Sequence, residues 1–236
     1  AGPEAGGAAS GVGVGSAFHS AGMTGFDGLV RITPDGKIHI HTGVGNLGTY
    51  SYAATARVAA EVLKCKSESC ILEHGDSRKH LPWNSPQVGS NTSFTQSRTN
   101  YVAAMDAKAK LMQIGAQALG GKADDYDIGD EKVFLKSDPS KSLTYAQAAQ
   151  KAIDLGGAFS GKDAPADLNP ITKASVAALA GSGLIGVAKD KLAIRGMPPA
   201  FAAGFVMIEL DVETGKHEIL EYVGVADCGT VIHPMG

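Results

Sequence analysis

The sequence predicts an α+β fold in which mixed or antiparallel sheets pack against helices. Runs of alternating apolar and polar residues flank turn residues at two places in the chain, which is typical of antiparallel hairpins. Between these runs lie long segments in which apolar residues recur at helical spacing. Strands and helices do not alternate regularly, so a series of parallel βαβ units is not expected.

The first half of the chain is predicted to combine one hairpin with two helices. Pro34-Asp35-Gly36 is a favourable hairpin turn, and Gly120-Gly121 ends the longest helix. The predicted elements are a weak strand at 11–16, strands at 26–32 and 37–42, a helix at 50–64, a strand at 69–73, a polar loop at 75–93 and a helix at 95–119.

The second half is predicted to hold fewer regular elements. Thr144 can cap a helix, with Gln147 as its capping-box partner, and Gly156-Gly157 ends that helix. The other predicted elements are a strand at 132–135, a loop-rich segment at 158–198 with one short helix near 173–180, and a second hairpin whose strands span 205–212 and 216–225.

The composition suits a globular chain and excludes several classes of function. Of the 236 residues, 44% are hydrophobic and 19% are charged, which favours a packed core over disorder. Lys plus Arg number 21 and Asp plus Glu 24, for a net charge of −3, so no nucleic-acid surface is expected. No run of about 18 apolar residues is present, so no membrane span is expected. Residues 1–16 lack the features of an intact signal peptide, which leaves the bacterial cytoplasm and periplasm open.

Cysteine usage limits the metal chemistry of the chain. Cys65, Cys70 and Cys228 are too few and too scattered for a disulfide framework. No CxxC pair exists and the seven histidines are dispersed, so a structural zinc site is not expected. Three cysteines cannot ligate a four-thiolate iron–sulfur cluster, so such a centre would lie on another chain.

The segment Gly43–Gly48 reads GxGxxG and follows a strand, which is the context of a dinucleotide-binding fingerprint. Free N–H groups at the following helix N-terminus would favour a pyrophosphate. However, Ile38-His39-Ile40-His41 alternates like a half-exposed antiparallel strand, whereas a central parallel strand is almost continuously apolar. Three interpretations remain: a nicotinamide-dinucleotide site, a structural turn, or an anion contact in another fold.

A second candidate is the polar loop 84–93, which leads directly into a long helix. Its glycine, hydroxyl side chains and backbone N–H groups would suit a phosphate or a pterin. The alternative is ordinary helix capping by Thr92, Ser93 or Thr95.

Four segments together resemble the molybdopterin-binding subunit of molybdenum hydroxylases, the family of xanthine dehydrogenase, aldehyde oxidase and isoquinoline oxidoreductase. The resemblance covers nearly the whole chain, with the segments in the family's order. They are TGVGNLGTYSYAATARVAAEVL, HGDSRKHLPWNSPQVGSNTSF, LNPITKASVAALAGSGLIGVAKD and VMIELDVETGKHEILEYVGVADCGTVIHP.

The resemblance implies part of a molybdenum-dependent oxidoreductase that oxidises aldehydes or hydroxylates N-heterocycles with oxygen from water. It implies a molybdenum–molybdopterin cofactor, in the cytosine dinucleotide form. It also implies partners: the remaining catalytic-subunit polypeptide, an iron–sulfur subunit with 2Fe–2S clusters, and an electron-acceptor subunit with FAD or haem.

The resemblance further implies two cofactor-contacting segments and a division of the chain into 1–125 as cofactor-binding sheet and helices, 126–200 as a loop-rich excursion, and 201–236 as a hairpin that returns to the sheet. No residue of this chain is assigned as catalytic or as a metal ligand. The first contact comprises Gly48, Thr49 and Tyr50, and the second comprises Val88, Gly89, Ser90, Asn91, Thr92 and Ser93.

The sequence departs from the family in two respects. Where the family turn reads Gly-Gln-Gly, this chain has Gly48-Thr49-Tyr50, so the cofactor contact is altered or supplied by backbone. The family's Gly-Gly-Phe-Gly motif and the Gly-x-Gly-Glu segment with the general base are absent, which predicts a fragment, a processed piece or one subunit of a split catalytic unit. A non-catalytic scaffold or binding module of the same fold is the alternative, and a NAD-binding protein that uses Gly43–Gly48 is a third.

Overall fold

A computed structural model describes residues 7–20, 22–45, 47–49, 51–194, 199–227 and 229–231, without the side chains of residues 52–55. The chain forms two compact units, one spanning 22–194 and the other combining 1–21 with 195–236. Helices and mixed sheets are both present, which confirms the predicted α+β class. In the described residues, no helix is both long and apolar enough to span a membrane.

A four-stranded mixed sheet lies at the centre of the larger unit. Its order is β4 (Cys70–Glu73), β3 (Ile38–His41), β2 (Asp27–Ile32) and β8 (Leu184–Lys189). β2 pairs antiparallel with both β3 and β8, so the hairpin predicted around residues 34–36 is confirmed.

Strand β3 has a second neighbour that the alternation of its side chains did not indicate. It pairs in parallel with β4, and α1 (Ser51–Val62) forms the crossover between the two strands. One βαβ unit therefore sits within an otherwise antiparallel sheet. Because β3 and β4 run in the same direction, their carboxyl ends, His41 and Glu73, meet at one edge of the sheet.

Both faces of this sheet are covered by helices. On one face, alternate side chains such as Val30 and Ile40 pack with the alanine-rich side of α2 (Thr92–Leu119). On the other face, Leu29 and Ile185 pack beneath α4 (Pro170–Leu179). The two-residue period of the strands thus directs apolar side chains into two separate cores.

Helix α2 approaches the sheet backbone closely at two glycines. A Cβ atom at Gly28 would lie 1.9 Å from the carbonyl oxygen of Thr99, and one at Gly186 would lie 2.5 Å from that of Ala103. Any larger residue at either position would force the helix and the sheet apart. The helix begins three residues before the predicted start at residue 95.

Polar side chains of α2 also reach the free edge of β8. The Lys110 ammonium donates to the carbonyl oxygen of Ile185 at 2.7 Å and pairs with Asp106 at 2.6 Å. The same Asp106 carboxylate accepts from the backbone N–H of Val187 at 2.8 Å. Lys110 is only 8% exposed, so these oxygens take the place of the water that its ammonium group loses on burial.

The segment 126–200 is more regular than predicted. It holds a three-stranded antiparallel meander, two helices and the sheet strand β8, so the prediction of loop at 184–189 was wrong. The capping box of Thr144 and Gln147 at the start of α3 is confirmed. The newly defined elements are β5 (Tyr126–Gly129), β6 (Lys132–Leu135), β7 (Asp138–Thr144) and α3 (Tyr145–Leu155).

The smaller unit is a three-stranded antiparallel sheet ordered β1 (Ala8–Ser20), β9 (Pro199–Asp211) and β10 (His217–Asp227). The second predicted hairpin is therefore present, with longer strands. In the described residues, β9 pairs antiparallel with both β1 and β10. The large apolar side chains of this sheet are widely exposed, among them Val12, Val14, Phe18, Phe201, Tyr222 and Val225.

Replacing Asp106 with Ala is expected to lower the free energy of unfolding by about 2 kcal/mol, because it leaves the Lys110 charge and the Val187 N–H without their acceptor. Urea titration followed by circular dichroism measures the change. Asp154→Ala, at an exposed helical position, is the matched control and should stay within about 0.5 kcal/mol of the parent. Equal losses in both variants would contradict the role assigned to Asp106.

Candidate cofactor-binding site

The glycine-rich turn after β3 lies at the sheet edge where His41 and Glu73 end their strands. Its described residues are mostly exposed, and Gly48 has a φ of +81° with open space around its Cα. The Asn84 side-chain oxygen accepts from the backbone N–H of Gly43, which holds the start of the turn against the polar loop. The start of the turn is therefore held in place by Asn84, and the backbone of its later residues is exposed to solvent.

A side-chain hydrogen bond joins the turn to the polar loop. The Gln87 amide donates to the Thr49 hydroxyl at 3.0 Å, across 38 residues of sequence. The Gln87 amide oxygen lies 3.7 Å from where a Cβ atom on Gly45 would stand. The two segments that the sequence resemblance assigns to cofactor contact are therefore neighbours in space.

The polar loop turns sharply before it enters α2. Gly89 and Ser90 have φ values of +61° and +55°, and the Asn91 N–H donates to the carbonyl oxygen of Val88 at 3.2 Å. Positive φ at both central residues is the pattern of a type I′ turn. This turn sets the direction in which α2 begins.

The helix N-terminus is not capped in the ordinary way. Asn91 occupies the cap position, and its side chain makes no cap hydrogen bond. Thr95, one of the predicted caps, instead binds the backbone of Met23 through its hydroxyl, at 2.8 and 3.1 Å. The first-turn N–H groups and the positive end of the helix dipole are therefore not neutralised by a cap from Asn91 or Thr95.

Buried polar atoms without partners cluster around this edge. In the described residues, the Gln87 amide oxygen, the Gln96 amide nitrogen and the Ser85 hydroxyl are enclosed and make no hydrogen bond. Gln96 is only 1% exposed, and its oxygen lies 3.1 Å from the Thr42 hydroxyl at the end of β3. Unsatisfied buried donors and acceptors are costly, so this edge suits a polar ligand.

Strongly perturbed ionisable groups lie beneath the turn. Burial and the neighbouring Arg31 guanidinium lower the pKa of His41 to about 4, and its Nδ1 lies 3.0 Å from the Lys79 carbonyl oxygen. Burial raises the pKa of Glu73, but hydrogen bonds from Lys79 and His39 outweigh burial and bring that pKa to about 2. At neutral pH His41 is therefore uncharged and Glu73 is ionised.

Three side chains that organise the site are not among the predicted cofactor contacts: Asn84 and Gln87, which lie in the predicted polar loop 84–93, and Gln96, which the sequence did not single out. Each acts through a partner distant in sequence, so no local pattern marks it. Tyr50 of the first predicted contact lies outside the described residues, as does Cys228. Val88 is 61% exposed. In the described part of the chain, no group of His, Cys, Asp and Glu side chains could hold a metal ion.

The model of the molybdopterin cofactor-binding domain family matches residues 3–236. The chain belongs to this family. Among the curated relatives of this domain is the carbon monoxide dehydrogenase large chain of Afipia carboxidovorans, which is 25% identical over 91% of the chain. The gamma subunit of the 6-hydroxypseudooxynicotine dehydrogenase complex of Paenarthrobacter nicotinovorans is 24% identical over 95% of it.

Solved structures share the fold of this molybdopterin cofactor-binding domain. A Cu,Mo-CO dehydrogenase superposes with a TM-score of 0.65 at 22% identity, covering 97% of the chain and 27% of the larger protein. Quinoline 2-oxidoreductase from Pseudomonas putida 86 gives a TM-score of 0.61 at 20% identity, with coverages of 98% and 28%. The chain spans about a quarter of the length of its curated relatives, 24% and 26% for the two named above.

Acid is expected to destabilise the molybdopterin cofactor-binding domain through His41. Its pKa of about 4 in the folded state lies below the unfolded value of 6.5, so the unfolded state binds more protons between these pH values. Stability is complete above pH 6.5 and declines as the pH falls toward 4. Between pH 7 and pH 5 the loss from His41 is about 2 kcal/mol.

Urea titrations at several pH values measure this slope. His41→Asn removes the titrating group and should flatten the profile between pH 7 and pH 5, whereas His217→Asn, at an exposed position, should leave it unchanged. An unaltered slope in the His41 variant would show that another group causes the acid sensitivity.

Proposed function

We propose that this chain is part of the catalytic subunit of a molybdenum-dependent oxidoreductase and contributes the loops that bind its molybdopterin cofactor. The reaction class is aldehyde oxidation or hydroxylation of an N-heterocycle, with the added oxygen taken from water. The relatives named above, which act as dehydrogenases or oxidoreductases of small molecules, support this class.

One observation carries the proposal: the hydrogen bond between Gln87 and Thr49 unites the two segments that the family resemblance assigns to the cofactor. A glycine-rich turn and a helix N-terminus thus share one sheet edge. Backbone N–H groups and the positive end of a helix dipole favour phosphate oxygens. Small residues of the turn and the loop, among them Gly48 and Gly89, are exposed, which leaves room for a phosphate between them.

The residues present at this edge fit a pterin bearing a phosphate or dinucleotide. Gly48 and Thr49 would contact it from the turn, and residues 88–93 would contact it from the loop and the start of α2. When bound, the cofactor supplies two-electron redox chemistry at molybdenum. The chain itself binds and orients that group.

Gln87 offers an explanation for the altered family turn. Thr49 stands where the family has a glutamine, and its hydroxyl accepts a hydrogen bond from the Gln87 amide. The unpartnered oxygen of that amide is buried beside Gly45. Gln87 therefore places a side-chain amide next to a turn in which Thr49 has replaced the family's glutamine.

The partners of the working enzyme follow from the same assignment. We assign to other polypeptides the remaining catalytic-subunit segments, the 2Fe–2S clusters and the FAD or haem electron acceptor, with the cofactor in its cytosine dinucleotide form. The sheet of β1, β9 and β10 supports further polypeptide at this domain, because it exposes apolar side chains such as Val12 and Tyr222, at 72% and 67%.

The decisive experiment is the composition of the purified native assembly. Denaturing mass spectrometry should find partner polypeptides with the chain, and metal and pterin analysis should find about one molybdenum and one pterin per copy. A complete assembly that lacks both molybdenum and pterin would overturn the proposal and favour a non-catalytic scaffold of the same fold.

The Gly89→Asp variant should lose most of its molybdenum and pterin without unfolding, because it adds a negative charge where the loop meets a cofactor phosphate. Metal analysis and circular dichroism of the assembled protein measure both effects. Gly215→Asp is the matched control, since Gly215 also has a positive φ, and a Cβ atom there would meet no neighbour. Full cofactor occupancy in Gly89→Asp would show that the loop has been misassigned.

The nicotinamide-dinucleotide alternative is tested directly by NADH fluorescence. The βαβ unit of β3, α1 and β4 supplies the local context of such a site, but only one parallel strand pair occurs among the described strands. We expect no tight binding. Tight NADH binding that is lost in Gly45→Asp would favour this alternative instead.

A further inference from the structure

Two cysteines face each other at the end of the βαβ unit opposite the cofactor-binding turn. Cys65 follows the last turn of α1, and Cys70 is the first residue of β4. Their Sγ atoms lie 3.9 Å apart, and both side chains are partly buried against the main core. The intervening chain is short and holds one 3-10 turn at residues 67–69.

Each sulfur has a backbone acceptor and the other sulfur as its polar neighbours. Cys65 Sγ lies 3.7 Å from the carbonyl oxygen of Ala60, and Cys70 Sγ lies 3.9 Å from that of Lys66. No disulfide joins them in the described chain. The S–S bond of a disulfide is about 2.05 Å long, so closure requires the two sulfurs to approach each other by rotation of their side chains.

The two thiols are chemically unequal. A hydrogen bond from Cys65 lowers the pKa of Cys70, while the same hydrogen bond and burial raise the pKa of Cys65. The carboxylate of Glu131, which accepts from the Ser69 hydroxyl, raises both pKa values. Cys70 is thus the thiol that ionises more readily and can act as the nucleophile, and Cys65 is the neighbour that keeps its proton.

We propose that Cys65 and Cys70 are a reversible disulfide-forming site that exchanges with low-molecular-weight disulfides such as glutathione disulfide. The Cys70 thiolate attacks one sulfur of the small disulfide, forming a mixed disulfide and releasing one small thiolate. Cys65 then loses its proton and attacks Cys70 Sγ, which releases the second small thiolate. The protein thiols lose two electrons and two protons, and one small disulfide becomes two small thiols.

A disulfide between Cys65 and Cys70 would link the two elements that support the candidate site, at a distance from the site itself. α1 starts at the cofactor-binding turn and ends next to Cys65, whereas β4 starts at Cys70 and ends at Glu73 beneath that turn. A bond between the cysteines ties the far ends of these two elements together. The candidate cofactor contacts at 48–49 and 88–93 do not include either cysteine.

The test uses the assembled protein with Cys228→Ser, so that only the two proposed thiols remain in this chain. After equilibration with glutathione and glutathione disulfide, alkylation and mass spectrometry count the free thiols. We expect this chain to lose both thiols together, with a mass decrease of about two daltons and a peptide linking Cys65 to Cys70. Two alkylatable thiols across the full range of redox buffers would overturn the proposal.

Single-cysteine variants separate intramolecular closure from simple glutathionylation. In the Cys228→Ser background, Cys65→Ser should accumulate a stable glutathione adduct on Cys70, because the resolving thiol is missing. The parent should show almost none of this adduct. Equal adduct levels in both would show that Cys65 does not resolve the mixed disulfide.

Glu131→Gln tests the electrostatic part of the proposal. Removing the carboxylate charge lowers both thiol pKa values and should speed disulfide formation about threefold at pH 7. Glu68→Gln is the control, since it makes the same charge change in the short segment between the two cysteines, and it should change the rate of disulfide formation less than Glu131→Gln does. A slower reaction in Glu131→Gln than in the parent would contradict this arrangement of charges.

Discussion

The close contact between α2 and the backbone of β2 and β8 is the constraint on which the larger unit depends. It exists because Gly28 and Gly186 lack a Cβ atom where the helix carbonyl groups of Thr99 and Ala103 press against the sheet. Small residues on α2, including Ala103, continue this fit. The helix axis is therefore set by backbone-to-backbone approach, which is less adjustable than the packing of long side chains.

The position of the candidate site follows from that constraint. With α2 fixed on the sheet, its first turn stands beside the end of β3, and Gln96 reaches the Thr42 hydroxyl there. Gln87 and Asn84 then draw the glycine-rich turn toward the loop before the helix. His41 beneath the turn is uncharged at neutral pH, so it supplies no positive charge to an anionic ligand, and the backbone N–H groups and the helix N-terminus are left to attract it. Regular elements thus position the two segments that are proposed to contact the cofactor.

The parts of the fold that sequence could predict are those set by local chemistry. The turn at residues 34–36 and the capping box of Thr144 and Gln147 depend on residues within a few positions of each other, and both are present. Strand β8, Leu184–Lys189, was missed because a short apolar run beside glycines has no distinguishing period. Its identity as a strand depends on pairing with β2, more than 150 residues earlier.

The candidate site was predictable in part and for a different reason. The resemblance marked residues 48–50 and 88–93 as segments with a shared role, but nothing local indicates that Gln87 connects them. The cysteine pair was likewise hidden, because a spacing of five residues has meaning only where a helix end and a strand start meet. Long-range side-chain contacts of this kind require the three-dimensional structure.

The ion pair of Asp106 and Lys110 protects one edge of the central sheet from pairing with another strand. By occupying the N–H of Val187 and the carbonyl of Ile185, it removes the hydrogen-bonding sites that an incoming strand would need beside β8. A further strand beside β8 would therefore have to displace this ion pair before it could bind the backbone of Ile185 and Val187.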